Sequence, residues 1–427
     1  MAQSSQNLRF AGDVSIDKAQ IVTSQGFYQD ITGQVINVQF FEDIFSPFIT
    51  GSIIVKESLD LVNLFPFVGE EYVDLEISTP TIEDHKLKGK YYIYKLSNRE
   101  LIGDRAVVYQ LHFISYEAVA DLNKKISKTF SGRVSELVGP FLKDKNYGLE
   151  TEKVVTVEDT LTNVKYISNY WSPVQNVQYL CGNAANQNKT PNYVFFENRD
   201  GFYFCSLESL YLNPVKHEFV YDKYTRDNIP GTSGTARNVA KDFMRILDIA
   251  IPTGFDYMDR IRSGMLGSRM ITYDITKKQY SVKTYNMFDR FNDQKHLNPN
   301  PLNSNKAIFR SNALIINYPK DYGNFNNYGD VTNSKIYQER LSLMKMAVAN
   351  KLQITVPGRT DYTVGQKVKV TLNKIEPISE KDEDVTDKMF SGHYIIAAIN
   401  HYVDREKHDA VMELIKESSL VDLNKAK

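Results

Sequence analysis

Tryptophan occurs once and cysteine twice in 427 residues. Cys181 and Cys205 are too few for a disulfide framework, so reduced thiols and assembly in a cytoplasm are expected. No apolar run reaches the length of a membrane-crossing helix, so none is expected. The N-terminal stretch MAQSSQNLRFAGDVSIDKAQ has no apolar core of signal-peptide length. Excess charge of either sign is also missing. Lys and Arg number 51 against 52 Asp and Glu, a formal net charge of −1. That argues against a general nucleic-acid binder, which carries a basic domain or stripe. It does not exclude a weakly charged wall that DNA merely passes.

Catalytic signatures are missing as well. Gly231 to Arg237 (GTSGTAR) precede a helical pattern but lack the Gly-Lys-Ser/Thr ending of a phosphate loop, so they read as a helix cap. The histidines are His85, His112, His217, His296, His393, His401 and His408. No pair has the helical spacing of a zinc protease, and the two cysteines lie far apart, so no metal site is read. His393, His401 and His408 fall on or beside adjacent strands and read as strand-surface residues. A Gly-x-Ser-x-Gly elbow is absent. The acidic run EKDEDVTD (380–387) lacks the ligand spacing of a calcium loop and reads as solvated. Lys124, Lys125 and Lys128 make too small a patch to argue for DNA. No cofactor is expected, and the function is expected to lie in surfaces.

Aromatic residues are plentiful, with 27 Tyr and 23 Phe. Such residues favour strands and interfaces. Residues 19–116 alternate in the manner of about six strands, after a polar arm. At Tyr116 the texture changes. EAVADLNKKISKTF reads as a helix on Val119, Leu122 and Ile126. Ser131 caps a second helix interrupted by Pro140, and Ser172-Pro173 opens a third. Two strands turn at Asp200-Gly201, a good hairpin signal. GSRMITYDITKKQYSVKTYNMF reads as a long hairpin, residues 292–306 and 318–334 as loops, and SKIYQERLSLMKMAVAN as a helix. Four strands follow, punctuated by Gly358, Gly365 and Gly392. The fold class is α+β and β-rich: two tube-like antiparallel β-barrel domains, an inserted α/β domain and a helical/loop middle segment. The divisions are 1–116, 117–215, 216–333 (partly completing the first barrel) and 334–427.

The order Val356-Pro357-Gly358, Gly365-x-x-Val368-x-Val370, Gly392-x-Tyr394 resembles the last tube-like domain of the central baseplate hub protein of contractile-tailed bacteriophages. It is also similar to the hub part of type VI secretion spike proteins. Gly51 and Gly69, before their strands, sit as in the family's first tube-like domain. These eight residues (Gly51, Gly69, Gly358, Gly365, Val368, Val370, Gly392, Tyr394) are the turn and barrel signature; no catalytic, cofactor or metal residue is among them. The resemblance implies a non-enzymatic homotrimer whose two tube-like domains, repeated three times, match a six-fold tail tube to a three-fold spike. It implies a separate central spike protein, tail tube or tube-initiator proteins and baseplate wedge proteins as partners. DNA would pass during ejection without specific binding, and the protein would reside in the virion tail after cytoplasmic assembly. The alternatives are a particle-associated cell-wall hydrolase and a receptor- or glycan-binding module.

Overall fold

The computed structural model describes residues 10–58, 67–103, 105–221, 242–274, 278–304, 314–319, 333–374 and 386–425. Alternation of apolar and polar residues sends side chains to opposite faces of a strand. In the N-terminal unit it gives β1 (Ser15–Val22), β2 (Tyr28–Asp30), β3 (Val35–Asp43), β4 (Thr50–Glu57), β5 (Tyr72–Thr79), β6 (Ile82–Ile102) and β7 (Ala106–Ser115). Val73, Leu75 and Ile77 of β5 share a buried core with Tyr109, Leu111 and Phe113 of β7.

The insertion follows: α1 (Tyr116–Asn123), β8 (Ile126–Arg133), α2 (Val134–Lys143), β9 (Val155–Val157), β10 (Asn163–Trp171), α3 (Pro173–Asn183), β11 (Tyr193–Asn198), β12 (Gly201–Ser206) and α4 (Leu207–Leu212). α3 opens as expected. Ser172 Oγ accepts from Gln175 N while Ser172 N donates to Gln175 Oε1, a capping box. The Asp200-Gly201 hairpin forms too.

Two helix expectations need correction. The first helix ends at Asn123, and Ile126 to Arg133 is a strand whose inward Ile126 and Phe130 fill the insertion core. Leu122, read as part of an apolar stripe, is exposed. The second helix starts at Val134 without a side-chain cap from Ser131, which lies on β8. Thr160 Oγ1 instead accepts from Ser135 N. Pro140 sits within α2 and does not end it.

The rest of the chain gives β13 (His217–Tyr221), β14 (Asp248–Thr253), α5 (Tyr257–Arg262), β15 (Gly267–Asp274), β16 (Gln279–Asn286), α6 (Met287–Phe291), β17 (Asn300–Pro301), β18 (Ile315–Pro319) and α7 (Asn333–Ala347). It closes with β19 (Asn350–Pro357), β20 (Lys367–Leu372), β21 (Gly392–Asp404), β22 (His408–Lys416) and β23 (Ser418–Ser419). The GTSGTAR segment, residues 305–306 and 320–332 of the loops, and residues 380–385 of the acidic run lie outside the described residues.

Thirteen strands share one sheet in the order β14-β19-β22-β21-β3-β4-β7-β6-β5-β1-β2, with β20 beside β21 and β13 beside β20. β21 joins the two units. Its start pairs with β20, its later residues Ala398 to Asp404 pair with β3, and β22 lies along its other edge. Residues 216–333 lend β13 to β20 and β14 to β19, so these strands join the last unit and not the first. No strand pairing among the described residues closes either unit into a barrel. Single hydrogen bonds do reach across: Val220 N donates to Met244 O and Ile246 N to Val220 O, tying β13 to residues just ahead of β14. Part of the expected 292–306 loop clasps the C-terminus. Leu297 N donates to Glu417 Oε1, Asn298 N donates to Ser418 Oγ, and β17 pairs with β23.

Gly51 shows how tightly the first unit is packed. A Cβ there would lie 2.1 Å from the Phe113 ring and 2.4 Å from the Gln39 carbonyl oxygen. Backbone cannot move aside cheaply, so Gly51→Ala should destabilise by about 1–3 kcal/mol. Gly33→Ala, where a Cβ meets nothing within 4 Å, should change stability by less than ~0.5 kcal/mol. Urea unfolding of both variants checks this; equal midpoints would refute it.

Candidate functional site: one sheet face across two units

The strand pairings place residues of both units in continuous cross-strand rows. Thr50, Phe41, Asn400, Val411 and Thr355 form one row from β4 to β19. Ser52, Gln39, Tyr402, Asp409 and Pro357 form a second, and Asp43, Ala398, Glu413 and Gln353 a third. Opposed residues share a face. The alternate residues, among them Val38, Phe40, Ile399 and Met412, are buried on the other face. The outward face is thus mostly amide, hydroxyl and small apolar. A concavity of about 470 Å³ lies at its centre, lined in part by Phe41, Asp43, Phe48, Asn400 and Glu413. From β4 to β19 the rows contain three carboxylates and no cation; beyond β4 the second row runs on through His112 to exposed Lys95. Glu413 pairs with Lys351 at 2.7 Å, and Asp409 with Lys407 at 2.7 Å. Burial raises the Asp43 carboxyl above its ordinary pKa, against the bond it accepts from Phe45 N.

Beneath this face the junction is polar and buried. Glu42 of β3 is buried. Its Oε2 accepts from Thr363 Oγ1 at 2.5 Å and Val364 N at 3.1 Å, and its Oε1 accepts from Arg199 N at 3.0 Å. Burial pushes its carboxyl up to about 7. One side chain therefore ties the first unit to the last and to the insertion hairpin. Arg199 Nη1 in turn donates to the Thr360 carbonyl. A second tie is ionic: Lys153 reaches buried Glu117 at 2.7 Å and buried Glu197 at 2.5 Å, and Glu197 Oε2 accepts from Ile49 N. Removing one partner of such a set leaves an uncompensated buried charge, which costs more than the set contributes.

The histidines differ from the surface reading. His401 and His408 are fully buried, and His401 Nδ1 lies 3.0 Å from His408 Nε2. One nitrogen donates and the other accepts, which two neutral rings can do. Burial drives His408 down to about 3. Burial and then the neighbouring His408 hold His401 well below its ordinary value. The cysteines are buried and free, and burial pushes the Cys181 thiol up to about 12. Among the described residues no His, Cys, Asp and Glu cluster could hold a metal, and no helix is long and apolar enough to cross a membrane.

The signature residues are spread over the two units. Gly51 lies on β4 against Phe113, and Gly69 precedes β5. Gly358 passes the His408 ring so closely that a Cβ would stand 2.1 Å from it. Gly365 takes φ +83° against Phe196 of the insertion. Val368, Val370 and Tyr394 are buried together in the C-terminal core. Gly392 faces Asn298, whose side chain accepts from His393 N and donates to its carbonyl. Sequence reasoning placed His401 and His408 on the surface and gave the junction residues Glu42 and Arg199 no role. An acid at the inward-facing register of β3 (VINVQFFED) was the available signal for Glu42.

No family model matches the sequence, and no curated protein is similar to it. Solved structures are. The 43 kDa tail protein of prophage MuSo2 from Shewanella oneidensis matches at TM-score 0.54 and 9% identity, over 94% of this chain and 98% of that one. The tail protein from Neisseria meningitidis MC58 matches at TM-score 0.54 and 10% identity, over 94% and 96%. The chain shares its fold with these phage tail proteins. An E. coli type VI secretion component matches more loosely, at TM-score 0.43 and 8% identity over 97% and 80%. The tail-protein fold thus spans the N-terminal unit, the insertion and the C-terminal unit together.

The buried histidines set a pH dependence. Below 6.5 an unfolded histidine takes up a proton that folded His408 refuses until about 3. Stability therefore falls as pH drops through that window. His408→Leu should flatten the dependence by up to ~1.4 kcal/mol per pH unit between about pH 6.5 and 4. Urea midpoints of both proteins across that range give the slopes; parallel slopes would contradict the assignment.

Proposed function

We propose that this chain is the structural hub of a phage tail baseplate. Three copies form a ring in which two units per chain give pseudo-six-fold order. The ring fits a six-fold tail tube on one side and a three-fold central spike on the other. Tube or tube-initiator proteins and wedge proteins complete its surroundings in the virion tail. The chain itself has no catalytic part in this reading, and wall degradation belongs to a partner.

The observation that carries it is the sheet face that crosses both units without a break. A wall along which DNA moves must not hold phosphates, and cations hold them by releasing counterions. Between β4 and β19 the three rows carry no cation, and Lys351 and Lys407 beside them are each bound to a carboxylate. Amide and hydroxyl groups remain for water. The fold shared with phage tail proteins supports this setting.

Electron microscopy of the particle should show a three-fold ring of this protein around the axis, with Asn400 and Gln39 toward the channel. A peripheral position would overturn the reading. Turnover of peptidoglycan by the isolated chain, lost on one carboxylate substitution, would favour an enzyme instead.

A further inference from the structure

Rotation by one third brings unlike faces together, so a ring needs two different, complementary faces on one chain. The 13-stranded sheet offers one at each of two places well separated in its strand order. The first is the tip of the β6–β7 hairpin. β6 pairs with β5 only as far as Tyr92, and from Tyr94 to Ile102 that edge has no strand partner among the described residues. Its tip carries Leu101, 77% exposed, and Ile102, 49% exposed. The second is the edge strand at one end of the sheet order, β14, with the start of α5. There Leu247, Ile251, Phe255 (72% exposed) and Met258 (57% exposed) are open to solvent.

Large apolar groups in such groups mark interaction sites. The rims are opposite in charge. Lys95 and Arg105 are exposed at the hairpin, with Glu100 beside them. Asp248, Asp256 and Asp259 are exposed at β14 and α5, with Arg262 beside them. Neither edge is a good template for strand addition. β6 breaks register twice in this stretch, β14 breaks it between Ala250 and Thr253, and Pro252 there has no N–H to donate. Contact by side chains fits better than a continued ladder.

We propose that the β6–β7 hairpin tip of one copy packs on the β14–α5 patch of the next copy. The inference rests on the ring reading above and names its contact. Leu101 and Ile102 enter the apolar patch, and Lys95 and Arg105 meet its acidic rim.

The test uses the purified full chain carrying Ile102→Cys and Met258→Cys together. Cys181 and Cys205 are buried and take no part. Mild oxidation with diamide should link the double variant into a ladder ending at three copies, while each single variant gives none. Leu101→Asp and Phe255→Asp, each with an unchanged melting temperature, should weaken self-association by about tenfold or more in sedimentation. A trimer that forms without the cross-link, and that both Asp variants leave intact, would overturn the contact and spare the ring. A chain that stays monomeric up to ~100 μM and gives no cross-link would overturn both.

Discussion

The pairing of β21 with β3 is the constraint from which the architecture follows. Seven residues, Ala398 to Asp404, are matched to Asp43 back to Asn37. Sequence separation makes this the most expensive kind of contact to form, because a long loop must close before it yields anything. Once formed, it fixes register, since a slip of one residue would turn every side chain to the other face. His401 would then leave Phe40 and the core, and Asn400 would leave the outer row.

Around that pairing the buried polar groups act as specificity devices. Glu42 can be satisfied only when the turn at Thr363 and Val364 and the hairpin at Arg199 are both in place. Lys153 likewise requires the start of the insertion at Glu117 and its hairpin at Glu197. Apolar packing alone would tolerate several relative placements of three such bodies. A carboxylate that needs donors from two other segments tolerates one. The histidine pair adds the same demand within the last unit, where Gly358 leaves room for the His408 ring.

Much of the strand order was legible because alternation is a local property. Val73, Leu75 and Ile77, or Val368 and Val370, announce their inward face without reference to anything distant. The Ser172-Pro173 helix start and the Asp200-Gly201 turn were legible for the same reason. The stretch after Tyr116 was misread because Val119, Leu122 and Ile126 fit a helical spacing by chance, while Ile126 and Phe130 answer to the strand period and to the core they meet. Partnership between strands is not local. That β21 divides its edge between β20 and β3, and that β13 and β14 serve the last unit, depends on which surfaces meet. The same holds for His401 and His408: seven positions apart on neighbouring strands, they face each other only once the register of β21 and β22 is set. The β-rich α+β class and the likeness to phage tail proteins did reach the fold, though no single motif held it.

The strand shared by two units also bears on mechanics. A force pulling the first unit away from the last along the direction of β21 would load its backbone pairings with β3 in shear, many at once. A force at right angles would open them one after another, as a zipper opens. An object built this way is stiff along one direction and yields along another.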